Sequence, residues 1–292
     1  MAQAHSPDAH RYYVPRSSRW PFLGSIALFT TMIGVGSWLN DVSWGMPTFF
    51  LGIALLIAVL FGWFGDVIRE SVQGQYNQQV DVSFRMGMVW FIFSEVMFFA
   101  AFFGALFYAR TFALPWLGGE GDGMATNSLL WSSFSNAWPS NGPGAVGGAF
   151  QTIPAWGLPL LNTLILLSSG VTITIAHHAL KAGHRKPLLV FLGATIVLAL
   201  IFLYVQGYEY IHAYQDLNLT LGSGIYGSTF FMLTGFHGLH VTLGMIMLTV
   251  IWFRCLKGHF DQDNHFAFEA VAWYWHFVDV VWLFLFLFVY VL

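Results

Sequence analysis

The sequence predicts an all-α membrane protein that crosses the bilayer seven times, and three observations carry that prediction. Of its 292 residues 57% are hydrophobic and only 9% charged, against about 25% charged in a soluble domain. Apolar runs long enough for a hydrocarbon core, which takes roughly 20 helical residues, recur near 21–39, 48–68, 86–108, 158–178, 188–210, 225–253 and 270–291. The basic residues fall in alternate loops. Arg11, Arg16 and Arg19 precede the first run, and Arg69 and Arg85 lie between the second and third. Lys181, Arg185 and Lys186 lie between the fourth and fifth, and Arg254 and Lys257 between the sixth and seventh. Arg110 is the exception. A miscount of one span would destroy this asymmetry, so it supports the count and a topology with the N-terminus cytoplasmic and the C-terminus outside.

Taken in order, segment 1–19 is polar and lacks the apolar core of a signal peptide, so it is expected to stay cytoplasmic while the first helix directs insertion. Residues 20–292 then read as a single seven-helix membrane domain. Its long outer loop, 109–157, contains GGEGDG and SNGPGAVGG and is too rich in Gly, Ser and Asn to span. Trp116, Trp131, Trp138 and Trp156 suit a membrane–water interface there. The loop is either loose or packed on a partner. The sixth run exceeds the bilayer thickness and is expected to tilt or project. No internal or inverted repeat is visible. A net charge of -3 gives no electrostatic basis for binding nucleic acid, and the single Cys255 excludes an intramolecular disulfide or a thiolate metal cluster.

Ionisable side chains inside apolar helices are costly, so their positions are informative. Glu95 lies in WFIFSEVMFFAAFF, about 14 Å into the third span at about 1.5 Å per residue. It is a candidate for proton handling or lipid contact, or else a neutral acid that joins helices. In EAVAWYWHFVDVVWLFLFLF, His276 and Asp279 are one turn apart. They offer a proton relay with Glu95, at similar depth, or an interhelical lock. Trp273, Tyr274 and Trp275 read as an interfacial anchor. In FHGLHV, His237 and His240 share a helix face with Thr234 and Gly244. Rings on one face cannot clamp a haem from both sides, and no third metal ligand is fixed locally, so packing is expected. His177 and His178 read as caps of the fourth helix, and Glu209 as an interfacial carboxylate. Trp63, Asp66, Arg69 and Glu70 leave the membrane beside the second span, and Arg254, Lys257 and His259 beside the sixth. This grouping suits a phospholipid head group, Arg forking onto phosphate oxygens while Trp lies along acyl chains.

The stretches WFGDVIRES (63–71), SEVMFF (94–99), PLLNTLILLSSG (159–170), AHHAL (176–180), YGSTFFMLTGFHGLHV (226–241) and HFAFEAVAWYWHFVDVVWLFLF (265–286) closely resemble cytochrome c oxidase subunit III. The likeness runs from Trp20 to the end of the chain. It implies seven helices, grouped as helices 1–2 and helices 3–7 around a V-shaped lipid cleft, and no redox centre or cofactor in this chain. Haems and copper would belong to partner subunits I and II, which pass electrons from cytochrome c to dioxygen and pump protons. This chain would stabilise subunit I, support its proton uptake and hold bound phospholipid. The resemblance makes Glu95 the intramembrane glutamate of the family, places Trp63, Glu70 and Arg254 near phospholipid, and makes His240 a cleft histidine. Tyr76 in QGQYNQQ stands where a histidine is common, and the 117–150 loop is longer than usual. The polar start suggests a bacterial inner membrane. The alternatives are the third subunit of a quinol oxidase, which usually lacks the first two helices, and an independent proton-coupled transporter using Glu95, Asp279 and the histidines.

Overall fold

The computed structural model describes residues 17–292; Arg11 and Arg16, used above for orientation, lie outside them. Every regular element among the described residues is helical. Seven helices are long and apolar enough to cross a membrane, and we number them α1–α7. They are Trp20–Leu39, Gly45–Val72, Gln78–Tyr108, Leu158–Lys181, Arg185–Gln215, Gly224–Leu256 and Phe266–Leu285. Several run past the apolar stretches that mark them in sequence. The third continues through a π-helical turn, Ala109–Ala113, into Leu114–Leu117. The seventh continues through a second π turn, Phe286–Val291. Contacts divide the chain into two compact units, with the boundary between Met86 and Gly87 inside α3.

In the first unit α1 and α2 pack backbone to backbone because small residues line their seam. A Cβ on Gly52 would lie 2.5 Å from the backbone nitrogen of Thr31. Gly34 and Gly45 leave no more room, the first against Phe49 and the second against Trp38. At the other end of the pair, the Trp20 indole donates to Asp66 at 2.8 Å, and its ring covers the space a side chain at Gly62 would need.

In the second unit α7 is the most thoroughly buried helix. Trp275 and Trp282 are both 0% exposed, so the expected interfacial anchor is a correction: Tyr274 and Trp275 face the core. The reason is on α4. Thr163 and Ser169 donate their hydroxyls back to carbonyls of their own helix, leaving oxygen lone pairs that accept the indole N–H groups of Trp282 and Trp275, each at 2.9 Å. Gly244 of α6 lies under the Trp275 ring, whose edge comes within 2.9 Å of the position a Cβ would occupy. Phe98 and Phe102 of α3 meet Phe236 of α6, and Phe99 meets Phe277 of α7. Hydrogen bonds between membrane helices average about 0.6 kcal/mol, so these contacts fix rotation and depth more than they add stability.

The 109–157 interval carries local structure and hydrogen bonds of its own. It holds the short helices Gly121–Gly123 and Met124–Leu130. Asn127 Nδ2 reaches the carbonyls of Leu117, Trp131 and Phe134. Asn218, from the loop after α5, reaches those of Gly147 and Ala149. Asn127, one of the residues that argue against a span, is thus also one that ties the loop down. Substituting Gly52→Val should push α1 and α2 apart, at an overpacking cost of at least about 1–3 kcal/mol. Denaturant unfolding in detergent, with cysteine cross-linking across the α1–α2 seam, measures it; unchanged stability and cross-linking would refute the close-packing account.

Candidate functional site

The centre of the second unit brings Glu95 of α3 to His240 of α6. His240 Nε2 lies 2.8 Å from Glu95 Oε2, and its Nδ1 lies 2.6 Å from the carbonyl oxygen of Phe236. A carbonyl can only accept, so Nδ1 carries a hydrogen. The contact with Glu95 therefore contains one shared proton. Either a neutral acid donates to a neutral ring, or a carboxylate accepts from an imidazolium. Phe99 meets the His240 ring edge-on at 5.0 Å between centroids, and Tyr274 stacks at 6.4 Å. Glu95 keeps 22% of its side chain exposed and His240 10%. The pair is walled by aromatics and open at the carboxylate.

Glu95 is thus joined to α6, and the suggested relay partner Asp279 points elsewhere. Asp279 lies against Gly170 of α4, where a Cβ would come 2.5 Å from its Oδ2. His276 Nδ1 is 3.6 Å from Asp279 Oδ2, an ion-pair distance rather than a hydrogen bond, and its Nε2 is 3.3 Å from Thr174 Oγ1 of α4. This arrangement has the form of a lock between α7 and α4. His237 is core: it is 1% exposed, meets the carbonyl of Val278 through Nε2 at 3.2 Å, and packs on Trp282 and Phe202. Three of the four ring nitrogens of these two histidines are engaged by protein groups.

Glu209, near the end of α5, is covered by protein: it is fully buried and accepts the Tyr290 hydroxyl at 2.6 Å. One assignment needs correction. His177 does not cap α4, because its ring turns toward α7. There His177, His265 and Glu269 bring ligand atoms within 4.8 Å of one another, with Lys181 Nζ 3.5 Å from Glu269 Oε1. Two imidazoles and a carboxylate can hold a divalent cation, although Lys181 already supplies a positive charge. Neither His265 nor Glu269 stands out in the apolar run, but their spacing of four places them on one helix face.

The residues suggested for lipid contact are differently placed. Trp63 is 48% exposed and stacks on Phe64. Glu70 accepts the Tyr76 hydroxyl at 2.7 Å, so the residue that departs from the family pattern is bonded to the carboxylate beside it. Asp66 pairs with Arg69 at 3.2 Å. Arg254 is only 7% exposed and lies 4.3 Å over the Phe260 ring. Its Nε and Nη2 are buried without a partner among the described residues. A buried guanidinium with two idle donors is poised for an anionic oxygen.

A family model described as cytochrome c oxidase subunit III matches residues 10–292. The chain belongs to that family. Relatives named cytochrome c oxidase subunit 3 bear it out. Those of Gadus morhua and Danio rerio are 41% and 42% identical over 284 residues, 97% of each chain. That of Marchantia polymorpha is 42% identical over 282 residues, 96% of each chain. The seven apolar helices and this membership make the chain a multi-pass membrane subunit of an oxidase complex.

On the loop before α7, Asp261 Oδ1 accepts the backbone N–H groups of Asn264 at 2.6 Å and Asp263 at 2.9 Å. The Asn264 N–H first, then that of Asp263, holds the carboxyl below its ordinary range. A depressed carboxyl contributes stability above its unfolded value and loses it as pH falls through the folded one. Asp261→Ala, or acid below the ordinary aspartate range, should therefore loosen residues 261–265. Faster amide exchange confined to that turn is the expected result; exchange unchanged between neutral and acid pH, beyond the intrinsic rate, would refute it.

Proposed function

We propose that the chain is the non-redox third subunit of a cytochrome c oxidase in aerobic respiration. The family match over nearly its whole length carries this reading. Haems and copper then reside in subunits I and II, which take electrons from cytochrome c to dioxygen. This chain stabilises subunit I, binds phospholipid and supports proton uptake. Supporting the proton role is the Glu95–His240 contact, where one proton sits between two groups inside a span. Supporting the lipid role is Arg254, whose idle donors lie at the basic end of α6, with Trp63 and Glu70 at the basic end of α2. The alternation of basic loops supports an N-terminus on the side of those loops and a C-terminus on the opposite side; a bacterial inner membrane, with the N-terminus cytoplasmic, is the setting proposed. The presence of both α1 and α2 favours the cytochrome c type over the quinol type.

Native purification with partner identification and a haem spectrum tests the assembly. A haem–copper subunit and a CuA-bearing partner should accompany the chain, and the isolated chain moving protons by itself in liposomes would sink the proposal. In the assembled oxidase, Glu95→Ala should leave oxygen reduction running while slowing proton uptake or shortening catalytic lifetime. Turnover and proton uptake followed across alkaline pH decide this, and identical behaviour would contradict it. Arg254→Ala should cut phospholipid retention through detergent washing by about tenfold, since a hydrogen bond to a charged group contributes about 1.5–3 kcal/mol. Unchanged lipid stoichiometry would argue against a phosphate at Arg254.

A further inference from the structure

Where α4 ends and α7 begins, on the side of the basic loops, three nitrogens face one oxygen. Glu269 Oε1, in the first turn of α7, lies 3.4 Å from His177 Nε2 of α4, 3.7 Å from His265 Nε2 and 3.5 Å from Lys181 Nζ. His265 and Glu269 are buried. His177 Nε2 is itself buried and has no hydrogen-bond partner among the described residues. His265 is held from behind, since its Nδ1 lies 3.1 Å from the carbonyl oxygen of Asp261. A carbonyl only accepts, so Nδ1 carries the hydrogen, and in the neutral ring Nε2 turns a lone pair toward the carboxylate. A lone pair and a carboxylate oxygen repel unless a positive charge lies between them. Lys181 answers that need from one side only, and with 51% of its side chain exposed it can swing into water.

We infer that His177, His265 and Glu269 form a zinc site that joins the basic-loop ends of α4 and α7. The donor set agrees. Two imidazoles and one carboxylate suit Zn²⁺, and three protein ligands leave a fourth position for water. Distances agree as well. With bonds of about 2.0–2.1 Å, tetrahedral ligand atoms lie about 3.3–3.4 Å apart. Both histidine–glutamate separations are near that edge length, and no two of the three ligand atoms are farther apart than 4.8 Å. Rotation of one ring closes the remaining gap. The surroundings complete the case. The Asp261 carbonyl fixes the tautomer and direction of His265, as outer-shell acceptors do for metal-bound imidazoles. Phe268, 1% exposed, packs on the His177 ring at 5.5 Å between centroids and keeps that side dry. The half-exposed Lys181 marks the route by which an ion arrives from water. Zinc carries no redox chemistry, so the site is compatible with a non-redox subunit and does not depend on that reading.

The test uses the assembly as it purifies, dialysed against a chelator and then titrated with zinc alone in competition with a zinc-responsive dye. The unaltered assembly should take up one zinc ion per copy of this chain that the Glu269→Gln and His177→Phe assemblies do not. The expected loss of affinity is at least about a hundredfold, since even outer-shell substitutions cost roughly 10–100-fold. Lys181→Met removes the competing cation and should tighten zinc binding about fivefold, a gain that a simple ion-pair lock does not give. Equal zinc uptake by all the assemblies, or a Lys181→Met assembly that binds zinc no better, overturns the proposal. X-ray diffraction at the zinc absorption edge, from zinc-soaked crystals of the unaltered assembly, reads the site without any variant. An anomalous peak about 2.0–2.2 Å from His177 Nε2, His265 Nε2 and a Glu269 oxygen supports it; zinc bound elsewhere with no peak here overturns it.

Discussion

Inside hydrocarbon a polar side chain has no water to fall back on, and that constraint sets the arrangement of the second unit. Several polar groups on α7 find counterparts on neighbouring helices, and together these fix the rotation of α7. The indoles of Trp275 and Trp282 reach hydroxyls of α4, and His276 reaches Thr174 on the same helix. The carbonyl of Val278 takes the ring of His237 from α6. A rotation of α7 by one residue, about 100°, would strand all of these at once. The glycines belong to the same logic, since Gly170 and Gly244 make room for Asp279 and Trp275.

Seven helices are legible in the sequence because burial in lipid writes itself as length and hydropathy, and the basic loops write the alternation. Helix ends are less legible. α5 continues to Gln215 and α2 to Val72, because an α-helix does not stop where the hydrocarbon does. The π turn after Tyr108 leaves no composition signal. Trp275 illustrates a deeper limit. Aromatic residues near a membrane boundary suit an interface or a core equally well, and only Ser169 on another helix decides between them.

Site residues divide along the same line. Glu95, His240, His276 and Asp279 are conspicuous because an ionisable group in an apolar run costs free energy wherever it lies. Their pairing is not conspicuous. Glu95 and His240 are 145 positions apart, and equal depth suggested Asp279 as readily. The cover over Glu209 is not legible either, because Tyr290 lies 81 positions away in sequence. Glu269 was missed because its two histidine neighbours are recognisable only once α4 and α7 are side by side.

The Glu95–His240 contact also limits what kind of proton chemistry this chain can perform. A pathway through the bundle needs each group to pass the proton onward on its far side. His240 cannot do this along α6, because its other nitrogen is held by the carbonyl of Phe236 one turn away, and a carbonyl of its own helix offers no onward step. Phe98, Phe99 and Tyr274 fill the space around the ring. The carboxylate side is the open one, so a proton exchanged at this pair would come and go laterally, on the flank of α3. A site of this form can hold or release one proton beside a neighbouring protein or lipid. The pair by itself offers no onward step through the bundle, in keeping with the proposed role beside a neighbouring subunit rather than with an independent transporter.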